Sequence, residues 1–398
     1  MTARLPQIGS GSDWSRGYPS VLGWAAYLAC SWTWCIGMFL PVLLVRDYGL
    51  WGFVAFALPN VAGAAGMGWV LARPGQAERL RERHAVAVRA FSLVTIAFQC
   101  FFVGWLVQWA APGPVVGAVA LAAAAAAFML RSVRGTLLLA ILVWLTSAAC
   151  LVGYVVNAGA SLPEPRPMPT GLLWLAPVCA FGFALCPYLD PTFLRAAAAL
   201  DTRGRRAAFT IGFGLLFAAM IAFTLLYGAT VERLGAAASG ATLAGTLVLI
   251  HVGVQIVFTV GAHVRELASV PALGRGRAAQ ALVAGIAAAM AAFSFNLGSP
   301  VVADAGMPVG EIVYRVFMAF YGLVFPAYVW ICMIPTRDGH AGLAGKAGRR
   351  KALAWAAAVG IAAPLFWMGF IERHEVYLVP GLLVVLLTKL AVRSRPGS

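Results

Sequence analysis

The chain has 398 residues, of which 62% are hydrophobic and 11% charged, with a net charge of +15 and a mean hydropathy of +0.86. A typical soluble domain carries about 25% charged residues, so this balance excludes a soluble globular protein, a disordered chain and a single-span receptor with a large ectodomain. Long continuous apolar runs also exclude an outer-membrane barrel, whose strands alternate. What remains is an all-α polytopic membrane protein. Its basic residues sit in short segments between apolar runs, which reads as membrane topology and not as nucleic-acid binding.

In chain order, apolar runs fall at about 21–45, 50–72, 87–110, 114–130, 136–158, 171–198, 207–228, 239–264, 279–298, 310–335, 351–371 and 376–392. A spanning helix needs about 20 such residues, so twelve transmembrane helices are expected. With the N-terminus and every even-to-odd connection on one side, that side collects 24 of the 29 Lys and Arg residues. The positive-inside rule then places both termini in the cytoplasm. Only three of the basic residues are lysines, and with the Ala- and Gly-heavy composition this points to a bacterial inner membrane. No cleavable signal peptide is expected, because the first twenty residues are polar and the run after them is full length. Connections are too short for a soluble domain, so any function must be built within the membrane. The seven cysteines all lie in apolar runs without metal-type spacing and read as small packing residues.

Two runs are interrupted. The first carries Gly37 and Pro41 in mid-span, flanked by Trp32 and Trp34; the sixth carries Pro187, Asp190 and Pro191. Proline removes a backbone donor and clashes with the preceding turn, and a carboxylate inside a membrane run is costly unless it lines a cavity or a protein interior. Either site alone could be a simple kink. They lie five runs apart, however, so the two helices run in opposite directions. Interruptions at matching positions of two inverted halves point to a transporter with a mid-membrane site. The expected organisation is a cytoplasmic segment 1–20, a first five-helix repeat 21–158, a second inverted repeat 171–335, and two additional helices in 351–392.

The stretch Ser31–Asn60, with its aromatic and small-residue run, mid-helix break and Tyr-Gly-Leu entrance into a helix with an Asn, resembles the first core helices of sodium:solute symporters, in the amino acid–polyamine–organocation superfamily with the LeuT-type fold. Asp190–Arg206 resembles the segment after the family's second broken helix. The resemblance implies a 5+5 inverted repeat plus two C-terminal helices, and alternating access about the two breaks. It also implies a sodium ion held between carbonyls of the first helix and an adjacent hydroxyl pair on the eighth. This chain departs there: the eighth run has only the separated Thr242, Thr246 and Thr259, and Leu194 replaces the Gln usual before the family's Arg.

The candidate substrate pocket comprises Trp34, Gly37 and Met38 on the first run, Cys186, Tyr188 and Asp190 on the sixth, and His251 and Gln255 on the eighth. His251, Gln255 and Thr259 share one helical face at i, i+4 and i+8, and imidazole can carry a proton near neutral pH. The alternative is a hydrogen-bonding seam between helices. Asp190 binds an ammonium group, a proton or a cation, or else caps the inner half-helix. Candidate coupling residues are Asp190, His251, Thr246 and Thr259, with Na+ or H+ as the coupling ion and no other cofactor or metal. Ser92, Thr95 and Gln99 read as packing contacts, and Glu311–Arg315 as an ion pair or gate latch. No zinc-type His–Glu helix, nucleophile elbow or phosphate loop is present, so an enzyme is not expected. The leading expectation is a secondary transporter of a small organic solute. The second is a non-transporting solute sensor or partner subunit that kept the fold.

Overall fold

The computed structural model describes residues 18–109, 132–236, 242–268, 307–334 and 345–393, with 285, 289 and 290. The fourth expected span, at 114–130, falls outside the described residues, as does the ninth, at 279–298, apart from 285, 289 and 290. Among the described residues every regular element is a helix, and nine helices are long and apolar enough to cross a membrane, or ten when one bent pair is taken as a single span.

That bent pair is the first run. It divides into α1 (Tyr18–Trp32) and α2 (Cys35–Tyr48), whose axes differ by 56°. After them come α3 (Leu50–Val70), the short polar α4 (Gln76–Arg83), α5 (Ala85–Trp109) and α6 (Val133–Ala158). The sixth run is α7 (Thr170–Leu185), a 3-10 turn at Cys186–Leu189, and α8 (Pro191–Ala199). The seventh is α9 (Thr202–Ile211), a π-helical stretch Gly212–Phe217 and α10 (Ala218–Ala236); the eighth is α11 (Leu243–Ala268). The tenth comprises α12 (Val309–Ala319), a π stretch Phe320–Val324, α13 (Phe325–Tyr328) and a second π stretch Val329–Met333. A closing hairpin pairs α14 (Gly345–Phe370) with α15 (Leu378–Arg393), and α15 packs on α7.

The two interruptions have different causes. In the sixth run the cause is local. Asp190 adopts an extended backbone, its Oδ1 accepts from Thr192 N at 2.7 Å, and Pro191 opens α8 at the position where a missing N–H costs nothing. In the first run the helix does not break at Gly37 and Pro41, which lie inside α2, but at Thr33 and Trp34. Tertiary partners pull it open there: Thr259 Oγ1 donates to Cys30 O at 3.1 Å, and Trp32 Nε1 donates to Asn60 Oδ1 at 2.6 Å. An aromatic and β-branched Trp-Thr-Trp sequence has little helix propensity to set against them.

The spans define two faces. The end of α2, the start of α12 and the loop between α14 and α15 meet on one, here the far face; α4, the end of α8 and the end of α11 meet on the other, the near face. Arg205 is buried near that side and donates to Gly68 O, Ala72 O and Ala197 O, tying the ends of α3 and α8 together. Small residues let backbones approach closely between apolar helices. At Gly182 of α7, a Cβ would lie 2.7 Å from Tyr321 O.

Candidate functional site

The two breaks meet. Trp32 and Phe193 pack edge to face with ring centroids 4.9 Å apart, and the Thr192 hydroxyl, donating to Asp190 Oδ1 at 2.7 Å, lies 3.0 Å from Ser31 Oγ. Beside this junction is a narrow, nearly closed cavity with room for about one water molecule, roughly 10 Å³, within a recess of about 250 Å³ that includes space open to solvent, lined by Trp32, Trp34, Ile36, Gly37, Asn60, Phe183, Cys186 and Tyr321. Its wall is aromatic and small-residue, without a charged side chain.

Three of the expected pocket residues line it: Trp34, Gly37 and Cys186. Trp34 stacks edge-on against Trp32, Phe91 and Tyr321. Gly37 lies four residues before Pro41, which cannot supply the usual i+4 donor to its carbonyl. A Cβ at Gly37 would face Phe217 Cε2 at 3.3 Å on the seventh run. The Cys186 thiol donates to Tyr321 O at 3.2 Å. That carbonyl is available because Phe325 N bonds to Phe320 O in the π stretch and Pro326 has no N–H to offer.

The other expected residues do not line this cavity. Met38 contributes its backbone carbonyl, which accepts from the Tyr227 hydroxyl at 2.6 Å. Tyr188 is partly buried in the 3-10 turn, outside the lining. Asp190 is fully buried as the cap of α8, with Oδ2 unpartnered among the described residues. His251 packs against Phe223 and Tyr227, at ring distances of 5.2 and 6.1 Å, with neither ring nitrogen partnered there. Gln255 Nε2 donates to Ser147 Oγ at 2.9 Å, and Thr259 to Cys30 O. The shared face of α11 is therefore a buried polar seam against α1, α6 and α10. Thr246 sits off that face and is partly buried.

Local sequence did not single out Tyr321 and Phe183 as cavity lining; the proline five residues after Tyr321 was the available signal. His263 and Glu266 continue the polar face of α11 by further turns. His263 Nδ1 lies 3.1 Å from Ser92 Oγ.

Charged clusters flank the cavity on both faces. On the far face Arg46 reaches Glu311 with two parallel bonds of 2.7 and 2.9 Å, and Arg315 bonds both Glu311 Oε1 and Asp47 Oδ2 at 2.7 Å. The Glu311–Arg315 pair is thus one part of a bridge between α2 and α12. On the near face Glu266 of α11 is paired with Arg195 of α8, and Arg81 of α4 lies 3.7 Å from its other oxygen. Between the cavity and the far bridge is a larger lateral pocket, about 720 Å³ including its open mouth. It shares Phe183 and Tyr321 with the cavity, and its wall includes Leu43, Val178, Cys179 and Phe370.

No family model matches the chain, and no curated protein matches it in sequence. Among solved structures, MhsT in complex with L-phenylalanine is similar over 95% of this chain and 100% of that one, at 15% identity and a TM-score of 0.47. A likeness of that size transfers neither substrate nor mechanism.

Proposed function

We propose that the chain is a secondary transporter that carries a small organic solute across a membrane by alternating access about the breaks at Thr33–Trp34 and Cys186–Asp190. The observation that carries this reading is the contact of two interrupted, oppositely directed spans beside a cavity, with a separate ionic bridge closing each face. Backbone groups without a helical partner are satisfied in a membrane by a ligand, water or a neighbouring helix, and within α2 Pro41 cannot supply the i+4 donor to the Gly37 carbonyl. A wall of Trp, Tyr, Phe and Ile without a charged side chain suits a solute with a compact apolar body and few polar atoms. Opening one bridge while the other holds would expose the cavity to one face at a time.

In this reading the two halves 21–158 and 171–335 form an inverted repeat of the LeuT type, with the hairpin of α14 and α15 outside it. The near face is cytoplasmic, in keeping with its arginines. We assign coupling to protons or to the solute gradient, with His251 or Asp190 as the titrating group. The direct bond from Thr259 to Cys30 O occupies the contact where the resembled symporters hold sodium. The same bond favours the second reading, a solute sensor or partner subunit without transport.

Uptake of radiolabelled neutral and aromatic solutes into proteoliposomes, under proton, sodium and no gradient, tests the proposal. Accumulation that depends on Gly37 and Cys186 supports it. Saturable binding without accumulation under any gradient would move the assignment to the sensor.

A further inference from the structure

The loop between α14 and α15 grips the far end of α2. Arg373 Nη2 lies 3.1 Å from Asp47 Oδ1, and the Tyr48 hydroxyl donates to Glu375 Oε1 at 2.6 Å. Arg315 Nη1 donates to Phe370 O at 3.2 Å, tying the end of α14 to α12. The loop also rests on the start of α7, where a Cβ on Gly171 would come within 3.0 Å of the Glu375 carboxylate. Arg373 holds φ at 61°, a left-handed backbone that non-glycine residues adopt when their surroundings fix it.

The bridge between α2 and α12 is charge-balanced without this loop, since Arg46 and Arg315 already face Asp47 and Glu311. Arg373 is a third cation added from outside. Immediately before the loop, Gly369 and Phe370 line the lateral pocket together with Tyr48 of α2 and Arg315 of α12. Residues 371–377 therefore connect a pocket wall to both spans that frame the pocket's far side.

We propose that residues 371–377 are a strap over the far-side mouth of the lateral pocket, fastened by Arg373 to Asp47 and by Glu375 to Tyr48. Access from that face is then set by the C-terminal hairpin as well as by the α2–α12 bridge. As a step in solute access this rests on the transporter reading; as a closure of the pocket it does not. Releasing the strap removes one ion pair and one hydrogen bond and leaves the Arg46–Glu311 and Arg315–Asp47 pairs in place.

Cys179 lies in the pocket wall and is a native reporter. The full chain in detergent is treated with a maleimide, and modification of each cysteine is followed by peptide mass spectrometry. For Arg373→Gln/Glu375→Gln the expected result is Cys179 labelling about tenfold faster, as for a locally opened segment, with Cys150 on α6 unchanged. Arg373→Lys should restore most of the slow rate. Unchanged Cys179 labelling in a folded double variant would overturn the strap, as would an equal rise at Cys150, which reports general loosening. If the double variant does not fold, Tyr48→Phe, which removes a single hydrogen bond, gives the same reading: faster Cys179 labelling supports the strap and an unchanged rate overturns it. Labelling is read without any solute, so a failed strap and a failed transporter assignment give different results.

Discussion

The Thr192 hydroxyl lies 3.0 Å from Ser31 Oγ, which joins the first and sixth spans side chain to side chain at their breaks. The same hydroxyl donates its one proton to Asp190, the cap of α8, and its oxygen can accept from Ser31, whose own proton is divided between Thr192 Oγ1 and Leu28 O at 3.2 Å. Movement of α1 relative to α8 must therefore disturb the cap that starts α8. The junction couples the geometry of the two breaks without a charged pair between them. Substitutions that act on one side of the molecule separate its parts.

Glu266 is expected to hold the near face shut. Its carboxylate is buried and serves both Arg195 and Arg81. Glu266→Gln removes the negative charge that faces two guanidinium groups and puts an NH2 donor in place of one acceptor oxygen, and breaking a buried pair from one side costs about 3 kcal/mol. Arg195 is partly exposed, so the low end of that range applies. Thermal melting in detergent should show the loss, and the double variant Arg195→Gln/Glu266→Gln should recover part of it. Equal melting of wild type and Glu266→Gln would remove the pair from the closing mechanism.

Gly37 is expected to separate packing from binding. Its absent side chain faces the edge of Phe217 at 3.3 Å, so Gly37→Ala needs only a small shift of that ring. Gly37→Leu must displace Phe217 or turn into the cavity, and either way deforms the cavity wall. Overpacking of this kind costs about 1–3 kcal/mol. Gly37→Leu should therefore stay folded in size-exclusion chromatography and lose solute binding, whereas Gly37→Ala should keep most of it. Glu372→Ala, on the far-side loop, should change little. Full binding by Gly37→Leu would place the solute elsewhere.

Sequence and structure agree most where the determinants are local. Pro187, Asp190 and Pro191 announce the sixth-run break because each acts on its own turn. The i, i+4, i+8 spacing put His251, Gln255 and Thr259 on one face of α11, and they share it. What faces them was not legible. Ser147 and Cys30 arrive from spans more than a hundred residues away. For the same reason the first-run break lies at Thr33–Trp34 and not at Gly37–Pro41: the bonds from Thr259 and Trp32 that open it depend on the assembled bundle. The Glu311–Arg315 pair was visible as helical spacing, but its junction with Arg46 and Asp47 was not.

His84 is expected to give the near face a pH-dependent stability. It lies between α4 and α5, with Nδ1 3.0 Å from the Tyr328 hydroxyl. Burial, and then the charges of Arg83 and Lys351, lower its pKa from 6.5 to about 4. The unfolded chain thus binds the proton more readily, and the contribution of His84 is fully present above pH 6.5 and lost as pH falls toward 4. Melting temperature in detergent should fall across that window, and His84→Gln should flatten the fall. An unchanged slope in His84→Gln would assign the dependence to other groups.

Orientation follows from the arginines. If the near face is cytoplasmic, a cysteine at Arg79 on α4 should react with an impermeant maleimide only after cells are permeabilised. A cysteine at Glu164, between α6 and α7, should react in intact cells. Each position is exposed, so a missing signal reflects sidedness and not burial. The opposite pattern would invert the assignment of both ionic bridges.

A sodium ion between the first and eighth spans would need oxygen ligands, and here Thr259 has turned its hydroxyl toward Cys30 O as a donor. An adjacent second hydroxyl is missing, because Val260 follows Thr259 and Phe258 precedes it. Uptake into proteoliposomes should therefore survive replacement of sodium by choline, with a change of less than about twofold, since a site lacking its ligand set contributes no differential binding between states. A proton gradient should drive accumulation if His251 or Asp190 carries the charge, and His251→Ala with Asp190→Asn should leave only equilibration of the solute. Thr259→Ala should loosen the seam between α1 and α11 and lower the melting temperature, without creating a sodium requirement. Sodium-dependent uptake that persists in the His251→Ala/Asp190→Asn variant would sink this assignment. It would put the ion on backbone carbonyls at the breaks.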